Sequence, residues 1–211
     1  MATVPMTAPP RPGGRRARRK AELRARILGA AFDLFARRGF FATTVEQITE
    51  AADVAKGTFF NYFPTKEHVL GGFGDMQLAR IEAAIAEVRR GQVPAREILE
   101  RLIHALAEAP GRSQSLVRSM MVANLSSEAV RKVLRRKLLR GRRLLAEIIA
   151  YGQRRGEITR RRKPIELARL FQQVALGTFL IWAAFPQSKL DDWIEPTFEL
   201  YWSGVSAGPR G

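Results

Sequence analysis

The stretch ending at Lys66, TTVEQITEAADVAKGTFFNYFPTK, constrains this chain more than any other. Thr44 and Gln47 have the S/T-x-x-E/Q spacing of a capping box, which predicts a helix start at that point. Val45, Ile48, Ala51 and Ala52 recur at helical spacing and give the helix one apolar face. Asp53 and Val54 break the pattern, and Lys56-Gly57-Thr58 opens a second, short helix. Two helices joined by so short a turn form a helix-turn-helix unit.

Residues 57–63 sort cleanly on a helical wheel. At about 100° per residue, Phe59 and Phe63 fall about 40° apart and face inward. Gly57, Phe60 and Asn61 point the other way, with Thr58 and Tyr62 on the flanks. An Asn pairs bidentately with adenine, and an aromatic edge touches a thymine methyl. Tyr and Thr hydroxyls donate to phosphate oxygens. The same pattern also suits a compact aromatic core with solvated polar residues, so spacing alone leaves both readings open.

The run RILGAAFDLFARRGFFATTVEQITEAADVAKGTFFNYFPTKEHVL resembles the DNA-binding domain of TetR-family transcriptional regulators. The resemblance lies in the RRGF end of the first helix, the Thr pair opening the second, the KGTFFNYF segment and the TKEHVL entry to the fourth. It implies phosphate contacts from Thr44, Tyr62 and Lys66, and base contacts from Lys56, Gly57, Phe60 and Asn61, with Thr58 between them. Glu46 stands where some members place a base-reading side chain, but reads here as a surface carboxylate.

Apolar periodicity predicts an all-α chain of about nine helices. A first helix over 21–38, with Leu23, Ile27, Ala31, Leu34 and Phe35 inward, completes a small three-helix domain over 21–66. Residues 1–20 are rich in Pro, Gly and Arg and read as a disordered basic tail. A fourth helix begins after Thr65 as N-cap and carries Gly71, Gly72 and Gly74, which allow either a bend or close packing. Helices over 95–108, 113–125, 128–155, 164–185 and 190–202 follow, making a second helical domain over 67–205 and a short tail over 206–211. The last two helices carry more apolar and aromatic surface than one bundle needs. In the resembled family such helices pair across a two-fold homodimer, which sets two recognition helices about one DNA turn apart.

Charge narrows the partners. The net charge is +16, an excess that points to an anionic partner. Residues 1–66 hold 12 basic and 5 acidic side chains, and residues 131–163 hold 14 and 2. The second run is a solvated face, an attractor for an anionic effector such as an acyl thioester of a nucleotide-bearing carrier, or, as a weaker third reading, a secondary DNA or membrane contact. There is no cysteine, and His68 and His104 are too few and too separated for a metal cluster, so neither a metal nor a cofactor is expected. The longest apolar run, 174–185, is shorter than the about 20 residues that span a bilayer, and no secretory signal is visible. A cytoplasmic protein without membrane contact is the expectation.

These features exclude an obvious enzyme: there is no nucleophile–base pair, phosphate-binding Gly loop or paired carboxylate on an apolar face. The resemblance implies instead a ligand-responsive regulator, usually a repressor, binding double-stranded DNA. The competing class is a basic architectural DNA protein with no effector. Candidate effector contacts in the second domain are His104, Met120, Met121, Asn124, Phe171, Gln172, Phe179 and Trp182. They combine apolar bulk with few polar groups, which suits a hydrophobic effector.

Overall fold

The computed structural model describes residues 14–108, 113–185 and 187–208. Among them are nine α-helices: α1 Arg15–Arg38, α2 Val45–Ala51, α3 Lys56–Tyr62, α4 Lys66–Arg90, α5 Ala95–Ala107, α6 Gln114–Ser126, α7 Glu128–Arg155, α8 Pro164–Trp182 and α9 Asp191–Val205. The only extended pairing among the described residues is a single antiparallel bridge between Ile158 and Ser206.

The capping box forms as the spacing predicts. Thr44 Oγ1 accepts the Gln47 backbone N–H at 3.2 Å, and Gln47 Oε1 accepts the Thr44 N–H at 3.0 Å. The turn after α2 rests on Asp53, which takes φ +48°, a left-handed conformation that Asp tolerates better than most residues. Its carbonyl accepts from Arg26 Nη2 at 2.8 Å, tying the turn to α1. Thr65 takes the expected N-cap position of α4 with an extended backbone, but without the usual side-chain bond. Its hydroxyl meets His68 Nδ1 at 2.9 Å and makes no N-cap hydrogen bond to the backbone of α4.

The helix-turn-helix core is larger than three helices can supply. Ile27, Phe35, Ile48, Phe59 and Phe63 are joined by Val69 and Leu70 of α4, Leu116 and Ala123 of α6, and Val130 of α7. So short a unit buries too little apolar surface by itself, and α6 closes it from the side. The second core gathers α5, α7, α8 and α9 around Leu99, Ile103, Ile148, Phe171, Ile194 and Phe198.

The glycines of α4 resolve in favour of close packing. A Cβ on Gly71 would lie 2.7 Å from Val133 Cγ1, and one on Gly74 would lie 3.0 Å from the Lys137 stem. α4 therefore runs in close contact with α7.

Both termini differ from the expected tails. Arg15 to Lys20 extend α1, because Ala17 and Ala21 are strong helix formers and Arg18 pairs with Glu22 at 3.6 Å. The rest of that segment, 1–13, lies outside the described residues. At the other end α9 continues to Val205, which is buried. Thr159 N–H then donates to the Val205 carbonyl at 2.8 Å and Ala207 N–H to the Glu157 carbonyl at 2.9 Å, pinning 206–207 to the loop before α8. Residues 209–211 lie outside the described residues. α8 ends at Trp182, three residues before its expected end, because Ala183, Ala184 and Phe185 bend into the turn leading to α9.

Candidate nucleic-acid interface and ligand cavity

α3 presents the face that the wheel predicts. Phe59 is fully buried and Phe63 nearly so, while Phe60 is 44% exposed and Lys56, Gly57 and Asn61 are exposed beside it. Thr58 and Tyr62 are half-buried on the flanks. Phe60 packs edge-on to Phe59, with ring centroids 5.4 Å apart, so the core holds the outward ring at a set angle. Nothing lies within 4 Å of a Cβ built on Gly57, which leaves a shallow place on the outer surface for another molecule's backbone.

The flanking groups have distinct states. Thr44 accepts the Gln47 N–H in the capping box, and its side chain also bonds the Glu46 carboxylate. Lys56 Nζ bonds Glu46 Oε1 at 2.5 Å across the α2–α3 turn, and this bond holds the Glu46 carboxyl below the usual carboxylate range. Glu46 is thus an exposed carboxylate with a cation partner. Lys66 turns inward: its ammonium donates to the Phe40 carbonyl at 2.8 Å and the Thr43 carbonyl at 2.7 Å and sits 4.5 Å from the Phe40 ring centroid. Burial pushes this lysine below the usual lysine range. Two of its three protons hold the α1–α2 loop, so it can offer at most one to a phosphate.

α4, α6, α7 and α8 enclose a cavity of about 270 Å³. Six of the eight predicted contacts, Met120, Met121, Asn124, Phe171, Gln172 and Phe179, line it together. His104 and Trp182 do not. His104 sits between α5 and α9, with Nε2 3.4 Å from a Glu195 oxygen. Trp182 is buried and donates its indole N–H to the Ser188 carbonyl at 2.9 Å, closing the α8–α9 turn. Gln172 is held by Arg142, whose Nε donates to its Oε1 at 3.2 Å, while Gln172 Nε2 donates to the Leu138 carbonyl at 3.0 Å.

Sequence reasoning missed Phe73, Leu78 and Ile81 of α4 and Leu138, Gly141 and Leu145 of α7, which complete the wall. The apolar stripe of α4 was a usable signal. The apolar side of α7, with Leu134, Leu138 and Leu145, was another, although Leu138 is 39% exposed rather than buried. The cavity is open at Met121, Leu138, Leu176 and Leu180, all exposed apolar side chains.

Three carboxylates, Glu100, Glu195 and Glu199, gather on the α5–α9 surface with oxygens within 4.8 Å of one another. Arg96 pairs with Glu199 and lies 3.9 Å from Glu100, so the protein's own cation offsets their charge. No helix among the described residues is long and apolar enough to cross a membrane.

Comparison with known proteins bears on the exposed α3 face. Residues 27–84 match the family described as bacterial regulatory proteins, tetR family. The FadR repressor of Thermus thermophilus, a TetR-family transcriptional repressor solved in complex with lauroyl-CoA, is 30% identical. It aligns over 89% of this chain and 98% of its own, with a TM-score of 0.66. The chain belongs to the TetR family. Among curated relatives, the transcriptional repressor KstR of Rhodococcus jostii is 27% identical over 198 residues, covering 90% of this chain and 87% of the relative. The regulator RutR of Escherichia coli is 40% identical over 74 residues, covering 33% and 35% of the two chains. FadR of Bacillus subtilis, solved with stearoyl-CoA, is 22% identical with a TM-score of 0.71 and shares the fold. TetR-family members are DNA-binding transcription regulators, and α2 and α3 fall within the family match.

Proposed function

We propose that this protein is a ligand-responsive transcriptional repressor that binds a palindromic operator as a homodimer and is released by an effector with an apolar body and an anionic carrier. The observation that carries this reading is the double role of α6. Val117, Met120, Met121 and Asn124 face the cavity, while Leu116 and Ala123 belong to the helix-turn-helix core. A ligand that moves α6 therefore moves a wall of the DNA-binding domain. For this to switch anything, the ligand must bind the DNA-bound and free conformations with different affinity.

The DNA contacts in this reading are Gly57, Phe60 and Asn61 to bases, Thr44 and Tyr62 to phosphates, and Lys56 and Thr58 at the edge. Lys66 acts chiefly by holding the α1–α2 loop, with one proton left for a phosphate. Exposed apolar side chains on α8 and α9, among them Ile181 and Leu200, support the homodimer. The apolar cavity, with Asn124 and Gln172 among its few polar groups, favours an acyl chain. The similarity to a repressor solved with lauroyl-CoA supports an acyl thioester in particular.

The test is binding-site selection from random duplex DNA with the full chain, followed by titration of the selected duplex with lauroyl-CoA. A palindromic consensus released by the thioester is the expected result. Selection without a consensus, and affinity that falls steeply with salt, would favour a basic DNA-coating protein instead.

A further inference from the structure

A second cleft, of about 430 Å³, lies between α1, the end of α3, α4 and α7. Its cations come from both domains: Arg24 from α1, and Arg136, Lys137 and Arg140 from α7. A single carboxylate, Asp75 of α4, faces them. Arg24 Nη2 bonds Asp75 Oδ2 at 2.9 Å, and Lys137 Nζ bonds the other oxygen. Arg140 is held by Glu82 at 2.6 Å. Arg136 is exposed and has no ion-pair partner among the described residues. The cleft therefore carries more positive charge than its own carboxylate neutralises, in a recess rather than on an open helix face.

Lys137 also lines the apolar cavity, so the two spaces meet along its side chain. The meeting depends on Gly74, which lets the Lys137 stem lie against α4 where a Cβ would be only 3.0 Å away. The head end of the cleft is just as closely connected. Arg24 Cζ lies 5.4 Å from the Phe63 ring centroid, and Tyr62 at the end of α3 forms part of the wall.

We propose that this cleft is the receptor for the phosphate groups of the effector, bound by Arg24, Arg136 and Lys137. Asp75 is the internal anion that the phosphate displaces. The proposal deepens the effector reading above and rests on it for the identity of the apolar part. Arg24 belongs to the DNA-binding domain and Lys137 to the ligand-binding domain, and both are tied through α4 to the same carboxylate. A phosphate that takes over these cations breaks that tie. The charged end of the ligand would act on head position through Arg24, while the acyl end acts through α6. Charge-assisted bonds to phosphate are strong enough to compete with a half-exposed carboxylate pair.

The test uses the full chain and an Arg136→Glu variant, which breaks no ion pair among the described residues, with Arg136→Lys as the conservative control. Each is titrated with lauroyl-CoA and with lauric acid, which has the chain but no phosphate. Arg136→Glu should weaken lauroyl-CoA binding by about tenfold or more and flatten its salt dependence. Lauric acid affinity should change much less, and Arg136→Lys should restore most of the loss. Unchanged lauroyl-CoA affinity in Arg136→Glu would overturn the proposal. So would weaker binding to DNA in the absence of ligand with ligand affinity intact, since the cleft would then contact the DNA backbone. If the unmodified protein binds no lauroyl-CoA, the thioester reading fails, and inorganic pyrophosphate alone decides the cleft. Saturable thermal stabilisation that Arg136→Glu abolishes would uphold it, and none in the unmodified protein would overturn it.

Discussion

Phe60 and Asn61 show how a buried neighbour sets up an exposed contact. Phe59 and Phe63 anchor α3 in the core, and the helical period then leaves Phe60 and Asn61 no choice but to face out. Because neither outward side chain supports the core, each can be truncated at small cost to folding. Phe60→Ala and Asn61→Ala should each cut the preference for operator over random duplex by about tenfold or more. Binding to random DNA should stay within a few-fold of the unmodified protein. A competition gel shift measures both quantities, and normal discrimination in both variants would rule out this reading face. Lys66 shows the opposite case. Its two carbonyl bonds make it part of the fold, so its loss would loosen the α1–α2 loop as well as any phosphate contact.

At the scale of the element, the glycines of α3 and α4 separate folding from recognition. Gly71 faces Val133 at a distance that admits no methyl group. Gly71→Ala should lower stability by about 1–3 kcal/mol, the usual range for overpacking, in urea or thermal unfolding. Gly57 faces open space, so Gly57→Ala should leave stability unchanged or slightly raised, since alanine is the better helix former. If Gly57 lies against DNA, the same change should weaken operator binding. α6 allows a further test, because one side of it lines the cavity and the other closes the head core. Met121→Trp should fill cavity space and yield a protein that still binds its operator but no longer responds to lauroyl-CoA. Operator release at unchanged thioester concentration would show that the cavity is not the effector site.

At the scale of the whole molecule, the exposed apolar side chains of α8 and α9 are the feature a single chain leaves unexplained. Leu200 is 76% exposed and Ile181 is 55% exposed, and Ile165, Leu170, Leu176 and Leu180 of α8 are exposed as well. A helix–helix interface between two copies would bury them and supply two recognition helices for one palindrome. The double change Ile181→Glu and Leu200→Glu should shift the protein to monomer in sedimentation velocity. Operator affinity should fall sharply while the helical circular dichroism signal is retained. A variant that remains dimeric would place the interface elsewhere.

The division between what was legible in the chain and what was not follows from the range of the forces involved. Local rules sufficed for the capping box at Thr44, the inward and outward faces of α3 and the order of helices, because each depends on residues within a few positions of one another. Six of the candidate effector contacts, chosen with the help of the family resemblance, line one cavity. His104 and Trp182, candidates on the same ground, lie outside it and make other contacts. Local rules also drew the tail boundary through a helix whose polar face needs no core partner. The inward turn of Lys66, the completion of the head core by α6 and the meeting of Arg24, Asp75 and Lys137 depend on segments far apart in the chain. Only tertiary packing brings those groups together, so the placement of α6 between the head core and the cavity was decided by the fold and not by any local pattern.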